Sequence, residues 1–218
     1  MAKVFIGVPC LDARVGHDFA FSLADTMQEL RYAGHQYDGV ALTGNATLCL
    51  ARDELVDAFL KTDCTHLLQL DSDLGWHGMD IVRMIEKKKE FIAGVYPVKR
   101  REPEFRVSFN GLQEDGLMGV TRVPGGFQLI ARSAILKAIE TFPELQGQAR
   151  VKDGKIAMLH MHQLMNGVFT GEDTVFCTRL MQSGVSLWID PTINLRHWSG
   201  TECYGHKLLG TMIKEREK

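Results

Sequence analysis

The sequence of 218 residues lacks an excess of charge of either sign and lacks any long apolar run. Its 25 Lys and Arg residues nearly balance 27 Asp and Glu residues, so the net charge is −2. This balance argues against a broad basic surface that would bind nucleic acid by neutralising phosphates. No apolar stretch approaches the roughly 20 residues that span a bilayer, and residues 1–9 lack the apolar region of a signal peptide. We therefore expect a soluble globular protein without a membrane span.

Paired cysteines and several common nucleotide or catalytic motifs are also missing. The five cysteines are widely spaced and form no Cys-x-x-Cys motif, which favours free, mostly buried thiols in a reducing compartment and predicts a cytoplasmic location. Zinc-ligand spacing is absent. So are the motifs of P-loop enzymes, dinucleotide-binding Rossmann folds and hydrolase nucleophile elbows, and these three classes have no support in the sequence.

Apolar segments alternate with helical patterns over the first hundred residues. The pattern predicts strands at residues 3–8, 35–42, 66–70 and 91–95 and helices at residues 18–32, 47–60 and 80–88. Such alternation predicts a parallel, doubly wound sheet, in which ligands bind beyond the carboxyl ends of the strands. Three segments would meet at that edge, residues 9–12, 71–73 and 96–101.

The pattern becomes irregular from Glu102 onward. It predicts short strands at residues 106–109, 117–123, 127–131, 156–161, 186–190 and 194–198, and helices at residues 133–141, 172–182 and 205–218. A Gly-, Gln- and Lys-rich loop is expected at residues 143–155. Because no repeat, linker or low-complexity segment interrupts the chain, we expect one α/β domain, residues 1–218.

Two aspartates follow the third predicted strand, as Asp71-Ser72-Asp73. Carboxylates one residue apart at the end of an apolar strand are suited to hold a divalent cation, Mg²⁺ or Mn²⁺, together with a diphosphate. The alternative is a polar turn in which both acids cap the next segment. Both interpretations stay open on the residues alone.

A second acidic pair, Glu172-Asp173, begins a predicted helix. A carboxylate there could act as a general base that takes a proton from an attacking hydroxyl. The alternative is helix capping, because Thr170 and Asp173 have the spacing of a capping pattern.

The remaining candidates are isolated polar residues. His197 would complete a metal site with the Asp pair or serve a structural role. Arg52, seven residues after Asn45, would reach a phosphate or base, or would pair with neighbouring acids. Lys99 begins the basic run of residues 99–101 on the predicted ligand edge. His206 is a weaker candidate like His197, and the pair of His160 and His162 is not expected to bind metal.

Taken in their order along the chain, these motifs resemble those of the GT-A glycosyltransferases. The resemblance is strongest to small stand-alone members related to family 2 and to their phage and viral relatives. The matching stretches are Val4-Phe-Ile-Gly-Val-Pro9, Asn45-x6-Arg52, Leu70-Asp-Ser-Asp73, Ala93-Gly-Val-Tyr-Pro97, Gly125-Gly-Phe-Gln-Leu-Ile130, Gly171-Glu-Asp173 and Trp188-Ile-Asp-Pro191 followed by His197. The resemblance implies a Rossmann-like GT-A fold, with a mostly parallel central sheet flanked by helices. It also implies a nucleotide-binding half, residues 1–101, and an acceptor-side half, residues 102–218.

The resemblance further implies a nucleoside-diphosphate sugar as donor and Mn²⁺ or Mg²⁺ as cofactor. Asp71 resembles the acid that approaches the donor ribose and the metal, Asp73 the direct metal ligand, and His197 a later metal ligand. The nucleotide would lie beside Pro9, Asn45, Arg52, Ser72 and Lys99. Asp173 resembles the catalytic base, with Glu172 an acceptor contact or cap. Relatives often show His-x-Gly, whereas Trp198 and Ser199 separate His197 from Gly200 here.

The resemblance predicts a single-addition hexosyl- or pentosyltransferase, inverting by direct displacement. The acceptor would be a glycan, a protein or a modified nucleic acid base, the last compatible with the basic run of residues 99–101. A phage or viral chain would act in the host cytoplasm. The alternatives are a nucleotidyltransferase, which should carry a Gly-rich basic segment where residues 9–16 stand, a phosphatase of the Asp-x-Asp type, and a sugar-nucleotide-binding protein without catalysis.

Overall fold

Six α-helices and fifteen strands form the computed structural model within the residues it describes, 1–148 and 154–216. The helices are α1 His17–Tyr32, α2 Leu48–Leu60, α3 Gly78–Glu86, α4 Arg132–Thr141, α5 Glu172–Gln182 and α6 Leu208–Arg216. The strands are β1 Lys3–Cys10, β2 Gln36–Thr43, β3 His66–Leu70, β4 Leu74–Gly75, β5 Phe91–Ala93, β6 Ser108–Glu114, β7 Leu117–Arg122, β8 Phe127–Ala131, β9 Gln146–Gln148, β10 Lys155–Ala157, β11 Gln163–Met165, β12 Val168–Thr170, β13 Leu187–Ile189, β14 Arg196–Ser199 and β15 Glu202–Tyr204.

Eight of the strands form a central sheet in the order β2-β1-β3-β8-β5-β13-β7-β6. Strands β2, β1 and β3 are parallel, and β5 is parallel to β13. Strand β8 runs antiparallel to both β3 and β5, and β7 runs antiparallel to both β13 and β6. Six strands therefore point one way and two point the other, so the sheet is mostly parallel.

Helices cover both faces of this sheet. On one face, α1 and α3 pack apolar residues such as Phe19 and Ile81 against β1 and β3. On the other face, α2, α4 and α5 contribute Phe59, Ile135 and Phe176 to a second apolar cluster. Strands β1, β3 and β5 are buried along nearly their whole length. Apolar runs are typical of strands covered on both sides, which explains why these strands were predictable.

Smaller sheets lie outside the central one. Strands β15, β14 and β4 form a three-stranded antiparallel sheet, and the pairs β9–β10 and β11–β12 form two-stranded sheets. The first of these brings the chain after Asp73 next to the segment that carries His197, because Leu74 pairs with His197.

The sequence predictions hold for most of the helices and for the strands of the first half. The predicted parallel arrangement of the first-half strands is confirmed, because β1, β2, β3 and β5 all point the same way. Strand β8, from the second half, lies antiparallel between β3 and β5, which the pattern did not predict. Residues 149–153 of the predicted loop and residues 217–218 of the predicted terminal helix lie outside the described residues. None of the helices described is both long and apolar enough to cross a membrane.

Candidate functional site

Asp71, Ser72 and Asp73 leave the carboxyl end of β3 and lie between two cavities. Strand β3 ends at the buried Leu70, and the backbone N–H of Asp71 donates to the carbonyl of Gly126 at 2.8 Å. The N-terminal cavity, about 460 Å³, is lined in part by Pro9, Asn45, Leu48, Asp71, Ser72 and Asp73. The basic cavity, about 370 Å³, is lined in part by Tyr96, Lys99, Arg106, Arg122, Asp173 and His197.

The predicted site residues divide between these cavities. Pro9, Asn45 and Ser72, predicted to bind the nucleotide, line the N-terminal cavity with both aspartates. Lys99, predicted to belong with them, lines the basic cavity instead. The expected meeting of three segments at the sheet edge is confirmed by contacts: Lys99 Nζ lies 2.5 Å from Asp73, and the hydroxyl of Tyr96 lies 3.3 Å from Asp71.

Arg52 holds the acids of the site together. Its side chain is 2 % exposed and projects from α2, and its Nη2 donates to Asp71 Oδ1 at 3.1 Å. Its Nη1 pairs with Asp173 and lies 3.5 Å from Glu172 Oε1. Burial alone would lower the pKa of Arg52, but the charges of Asp71 and Asp173 outweigh burial and raise it. The guanidinium therefore stays charged and bridges the two acidic motifs, which are a hundred residues apart in sequence.

A pair of glycines makes this bridge possible. A Cβ atom on Gly125 would overlap Arg52 and Asp173, and one on Gly126 would overlap Asp71. The side chain of Gln69 stabilises the turn at Gly125 and Gly126, because its Nε2 donates to the carbonyl of Gly125 at 2.9 Å. The close approach of these side chains to the backbone requires residues without a Cβ. Residues 125–126 carried part of the resemblance, but their steric role was not predictable from sequence.

Tyr96 is a site residue that sequence reasoning did not assign. Its hydroxyl donates to Asp71 Oδ2 at 3.3 Å and accepts the N–H of Gly126 at 3.2 Å. Burial, with the nearby Asp71 and Asp173 charges, raises the pKa of Tyr96 well above its usual value, so the phenol stays protonated. The sequence signals were its place at the start of residues 96–101 on the predicted ligand edge and in the matching stretch Ala93-Gly-Val-Tyr-Pro97.

Asp173 lies at the start of α5 with its side chain turned toward Arg52. The residue that caps this helix is Gly171, and no side-chain capping hydrogen bond is made there, so the capping interpretation is wrong. Burial raises the pKa of Asp173; the Arg52 charge opposes the shift, and Glu172 and Asp71 add to it. A carboxylate with a raised pKa that lines a cavity has the properties of a general base.

Glu172 faces away from that cavity. It accepts from His162 Nε2 at 3.1 Å, and its pKa is lowered because the charge of Arg52, with His162, outweighs the effect of burial. The other histidine of the pair, His160, is buried and lies 2.8 Å from Asp53 Oδ1. The two histidines thus pair with different carboxylates, His160 with one 107 residues away and His162 with one 10 residues away.

Asp73 and His197 converge on one point. His197 Nε2 lies 3.5 Å from Asp73 Oδ2. Its Nδ1 donates to the carbonyl oxygen of Pro97 at 2.8 Å, which turns the Nε2 edge of the ring toward the aspartate. Burial would raise the pKa of Asp73, but hydrogen bonds from His197 and Lys99 outweigh it and lower the pKa. The carboxylate is therefore ionised at neutral pH.

The three predicted metal ligands do not all converge. Asp71 turns toward Arg52 and Tyr96, while Asp73 and His197 face each other. Over residues 1–148 and 154–216, no group of three or more His, Cys, Asp or Glu side chains has a metal-binding arrangement. Mg²⁺ is commonly held by one or two protein ligands together with substrate phosphates and water. The pair of Asp73 and His197 fits a divalent cation in that manner.

A second, partly buried ion pair anchors the segment that carries His197. Asp18 at the start of α1 accepts from Arg196 Nε at 2.6 Å and Nη2 at 2.7 Å, and from Trp198 Nε1 at 2.8 Å. The N–H of Trp198 donates to the carbonyl of Asp73 at 2.9 Å. This anchor lies at residues that the sequence patterns did not mark.

The free thiols expected from the cysteine pattern are observed. Four cysteines are buried, Cys203 is exposed, and none forms a disulfide.

Comparison with known proteins finds structural similarity only. No family model and no curated protein matches the chain. The crystal structure of A197 from STIV matches with a TM-score of 0.56 and 16% identity, covering 94% of each chain. A crystal structure of a glycosyltransferase involved in glycosylation of the major capsid of PBCV-1 matches with a TM-score of 0.36 and 10% identity, covering 69% of this chain and 68% of that one. The match to A197 shows a shared fold, a mixed α/β domain compatible with the Rossmann-like GT-A arrangement.

Proposed function

We propose that the chain is a glycosyltransferase that moves a sugar from a nucleoside-diphosphate sugar to an acceptor hydroxyl. The observation that carries the proposal is that Asp71–Asp73 line one cavity and contact Tyr96 and Lys99 of a second cavity, which Asp173 also lines. A group-transfer enzyme needs two substrates to meet at one reacting centre. The order of motifs along the chain, which resembles family 2 GT-A enzymes, supports the same function.

The donor nucleotide occupies the N-terminal cavity in this proposal. Pro9, Asn45, Asp71 and Ser72 line that cavity. Asp73 and His197 would hold Mn²⁺ or Mg²⁺, which would supply positive charge that stabilises the departing diphosphate. The ammonium group of Lys99, 2.5 Å from Asp73, adds a second positive charge beside the proposed metal site. Residues 1–101 are thus the proposed nucleotide-binding half.

The acceptor occupies the basic cavity, where Asp173 takes the proton. As the acceptor oxygen forms its bond to the anomeric carbon, the bond from that carbon to the diphosphate oxygen breaks. The proton passes to a carboxylate oxygen of Asp173, and the electron pair leaves with the nucleoside diphosphate. The raised pKa of Asp173 makes it a stronger base than an exposed aspartate. Arg52, at hydrogen-bond distance from Asp71, fixes the base relative to the donor side.

This displacement inverts the configuration at the anomeric carbon. The acceptor-side half is residues 102–218, and the proposed acceptor classes are a glycan, a protein and a modified nucleic acid base. Glu172 is a positioning residue in this scheme, since it contacts Arg52 and His162 and does not line the basic cavity.

A donor screen tests the proposed function. The chain is incubated with nucleoside-diphosphate sugars and Mn²⁺, and both thermal stabilisation and release of the nucleoside diphosphate are measured. We expect one donor to raise the melting temperature and to be slowly hydrolysed, with Asp73→Asn losing both effects. Stabilisation by a donor without any turnover, with or without acceptor mixtures, would indicate a binding protein, and no effect of any donor would refute the proposal.

A further inference from the structure

The basic cavity has an unusual charge composition for a site that receives a hydroxyl group. Three cationic side chains line it, Lys99, Arg106 and Arg122, whereas Asp173 is its only acidic lining residue. The charge of Asp173 is already compensated from behind by the buried Arg52. The cavity thus presents a net positive surface to whatever occupies it.

Arg122 differs from the other two cations because it lacks an acidic partner. Lys99 pairs with Asp73 at 2.5 Å, and Arg106 pairs with Glu104 at 2.7 Å. No carboxylate within the described part of the chain forms an ion pair with Arg122, and its buried Nε has no hydrogen-bond acceptor there. Arg122 is the last residue of β7, so the sheet fixes its backbone at the cavity wall.

An unpaired, partly buried guanidinium lowers the stability of the fold unless a ligand supplies a hydrogen-bond acceptor. A buried N–H without an acceptor loses its hydration without replacement. The planar fork of an arginine matches the two oxygens of a phosphate or carboxylate, and such charge-assisted pairs are among the strongest hydrogen bonds in proteins. The chemistry of Arg122 therefore selects an oxyanion.

We infer that the acceptor carries an anionic group, a phosphate or a carboxylate, which Arg122 binds in the basic cavity while the acceptor hydroxyl faces Asp173. This inference rests on the proposed function. The volume of about 370 Å³ accommodates a sugar-sized molecule with one such group. The diphosphate of the donor is assigned to the opposite side of Asp71–Asp73, so the anion in question is a second one. Arg106, two residues before Ser108, which pairs with Arg122 across β6 and β7, adds attraction, but its guanidinium is already paired with Glu104.

A titration with inorganic phosphate tests the anion site by itself. We expect the ¹⁵N–¹H signal of Arg122 Nε to shift in the wild type, and the dissociation constant to rise roughly tenfold or more in Arg122→Gln, as expected for loss of a charge-assisted hydrogen bond. Arg31→Gln, at an exposed position on α1, is the matched control and should bind phosphate as the wild type does. Equal phosphate affinity in Arg122→Gln and the wild type would overturn the inference.

A comparison of matched acceptors tests the acceptor assignment. With a donor that the wild type hydrolyses, kcat/KM is measured for glucose, glucose 6-phosphate and glucuronate. We expect one of the two anionic sugars to exceed glucose about tenfold or more. The ratio of kcat/KM for the anionic sugar to kcat/KM for glucose should fall toward one in Arg122→Gln. In Arg122→Lys it should fall only partly, because lysine keeps the positive charge but lacks the planar guanidinium. A melting temperature close to that of the wild type shows that each variant is folded.

The two proposals fail in different ways. Donor turnover with equal use of charged and neutral acceptors would overturn the anionic acceptor and leave the glycosyltransferase intact. Absence of any donor turnover would overturn the proposed function, and the acceptor assignment with it.

Discussion

Arg52 connects three carboxylates that come from two distant parts of the chain. Its guanidinium is buried, while Asp71 and Asp173 each keep some exposure to solvent, at 23 % and 32 %. Its assignment from sequence to nucleotide binding stays a prediction, and its contacts favour a positioning role. Seven residues separate it from Asn45, but α2 begins only at Leu48, so the two side chains do not share one continuous helix.

Loss of the Arg52 charge should destabilise the fold. Arg52→Gln leaves Asp71 and Asp173 without their counter-charge, and removal of one partner of a buried pair typically costs about 3 kcal/mol or more. Urea denaturation should therefore show a decrease of about 3 kcal/mol in the free energy of unfolding. Arg100→Gln, whose exposed pair with Glu104 is a surface salt bridge, should lose about 1 kcal/mol or less. Equal effects of the two substitutions would refute the bridging role.

The glycine turn gives a second prediction at this scale. Gly126→Ala would place a methyl group on Asp71 and 2.7 Å from the Tyr96 hydroxyl, so it should cost about 1–3 kcal/mol in stability and weaken donor binding. Gly205→Ala is the matched control, because a Cβ there makes only an ordinary contact at 3.7 Å from the Cγ of Arg196. Its stability should change by less than about 0.5 kcal/mol. Thermal denaturation and donor titration measure both effects, and an unchanged Gly126→Ala protein would contradict the tight approach.

At the scale of elements, sequence patterns located the buried strands and most helices but not the strand order. Strands β1 and β3 are apolar runs, and α5 begins at the predicted residue, Glu172. The insertion of β8 between β3 and β5 depends on pairing between residues about sixty positions apart, such as Leu68 with Leu129. Local periodicity carries no information on such partners. Of the short strands, β10 overlaps the predicted strand at residues 156–161. Strands β9, β11 and β12 were not predicted, since three-residue strands lack a measurable alternation.

The anchor between α1 and the β14–β15 hairpin depends on pH. The hydrogen bond from Arg196 lowers the pKa of Asp18, and Trp198 contributes, although burial acts in the opposite direction. Because the folded-state pKa lies below the ordinary value of 3.8, this stabilisation is present above about pH 4 and is lost as pH falls through the folded-state pKa. A close approach of Asp18 to the backbone also requires Gly75.

Asp18→Asn measures the contribution of this anchor. At about pH 7 the substitution should lower the free energy of unfolding by about 1.5 kcal/mol, the value of a charged hydrogen bond. The difference from the wild type should shrink as pH falls through the lowered folded-state pKa of Asp18, because the protonated carboxyl no longer pairs with Arg196. A difference that is constant with pH would contradict the ion pair.

At the scale of the whole molecule, the candidate site consists of residues from both halves of the chain. The sequence predicted that residues 9–12, 71–73 and 96–101 meet at one edge, because the carboxyl ends of parallel strands share an edge. It could not predict that Arg52 and Glu172 contact each other outside the lining of the two cavities. The spacing of residues defines the faces of a helix, but it does not show which face is turned toward the site. The unpaired Arg122 likewise became visible only when its neighbours were known.

Hydrogen exchange tests the proposed division into two halves. Saturation with the nucleoside diphosphate of the active donor should slow amide exchange in residues 10–12, 45–46 and 71–73, which line the N-terminal cavity. The amides of Arg106, Arg122 and Val123, which line the basic cavity, should exchange at unchanged rates. Slower exchange only at the residues of the basic cavity would place the nucleotide there. It would contradict the proposed division into a nucleotide-binding half and an acceptor-side half.

The most direct test of sugar transfer by this chain is the rate of donor consumption by Asp173→Asn in the presence of an acceptor. Asparagine keeps the size of the side chain but cannot accept the proton, so we expect kcat to fall about a hundredfold or more. The dissociation constant of the donor should stay within about threefold of the wild-type value, because Asp173 does not line the N-terminal cavity. A variant that transfers sugar at the wild-type rate would show that Asp173 is not the base and would contradict the proposed mechanism.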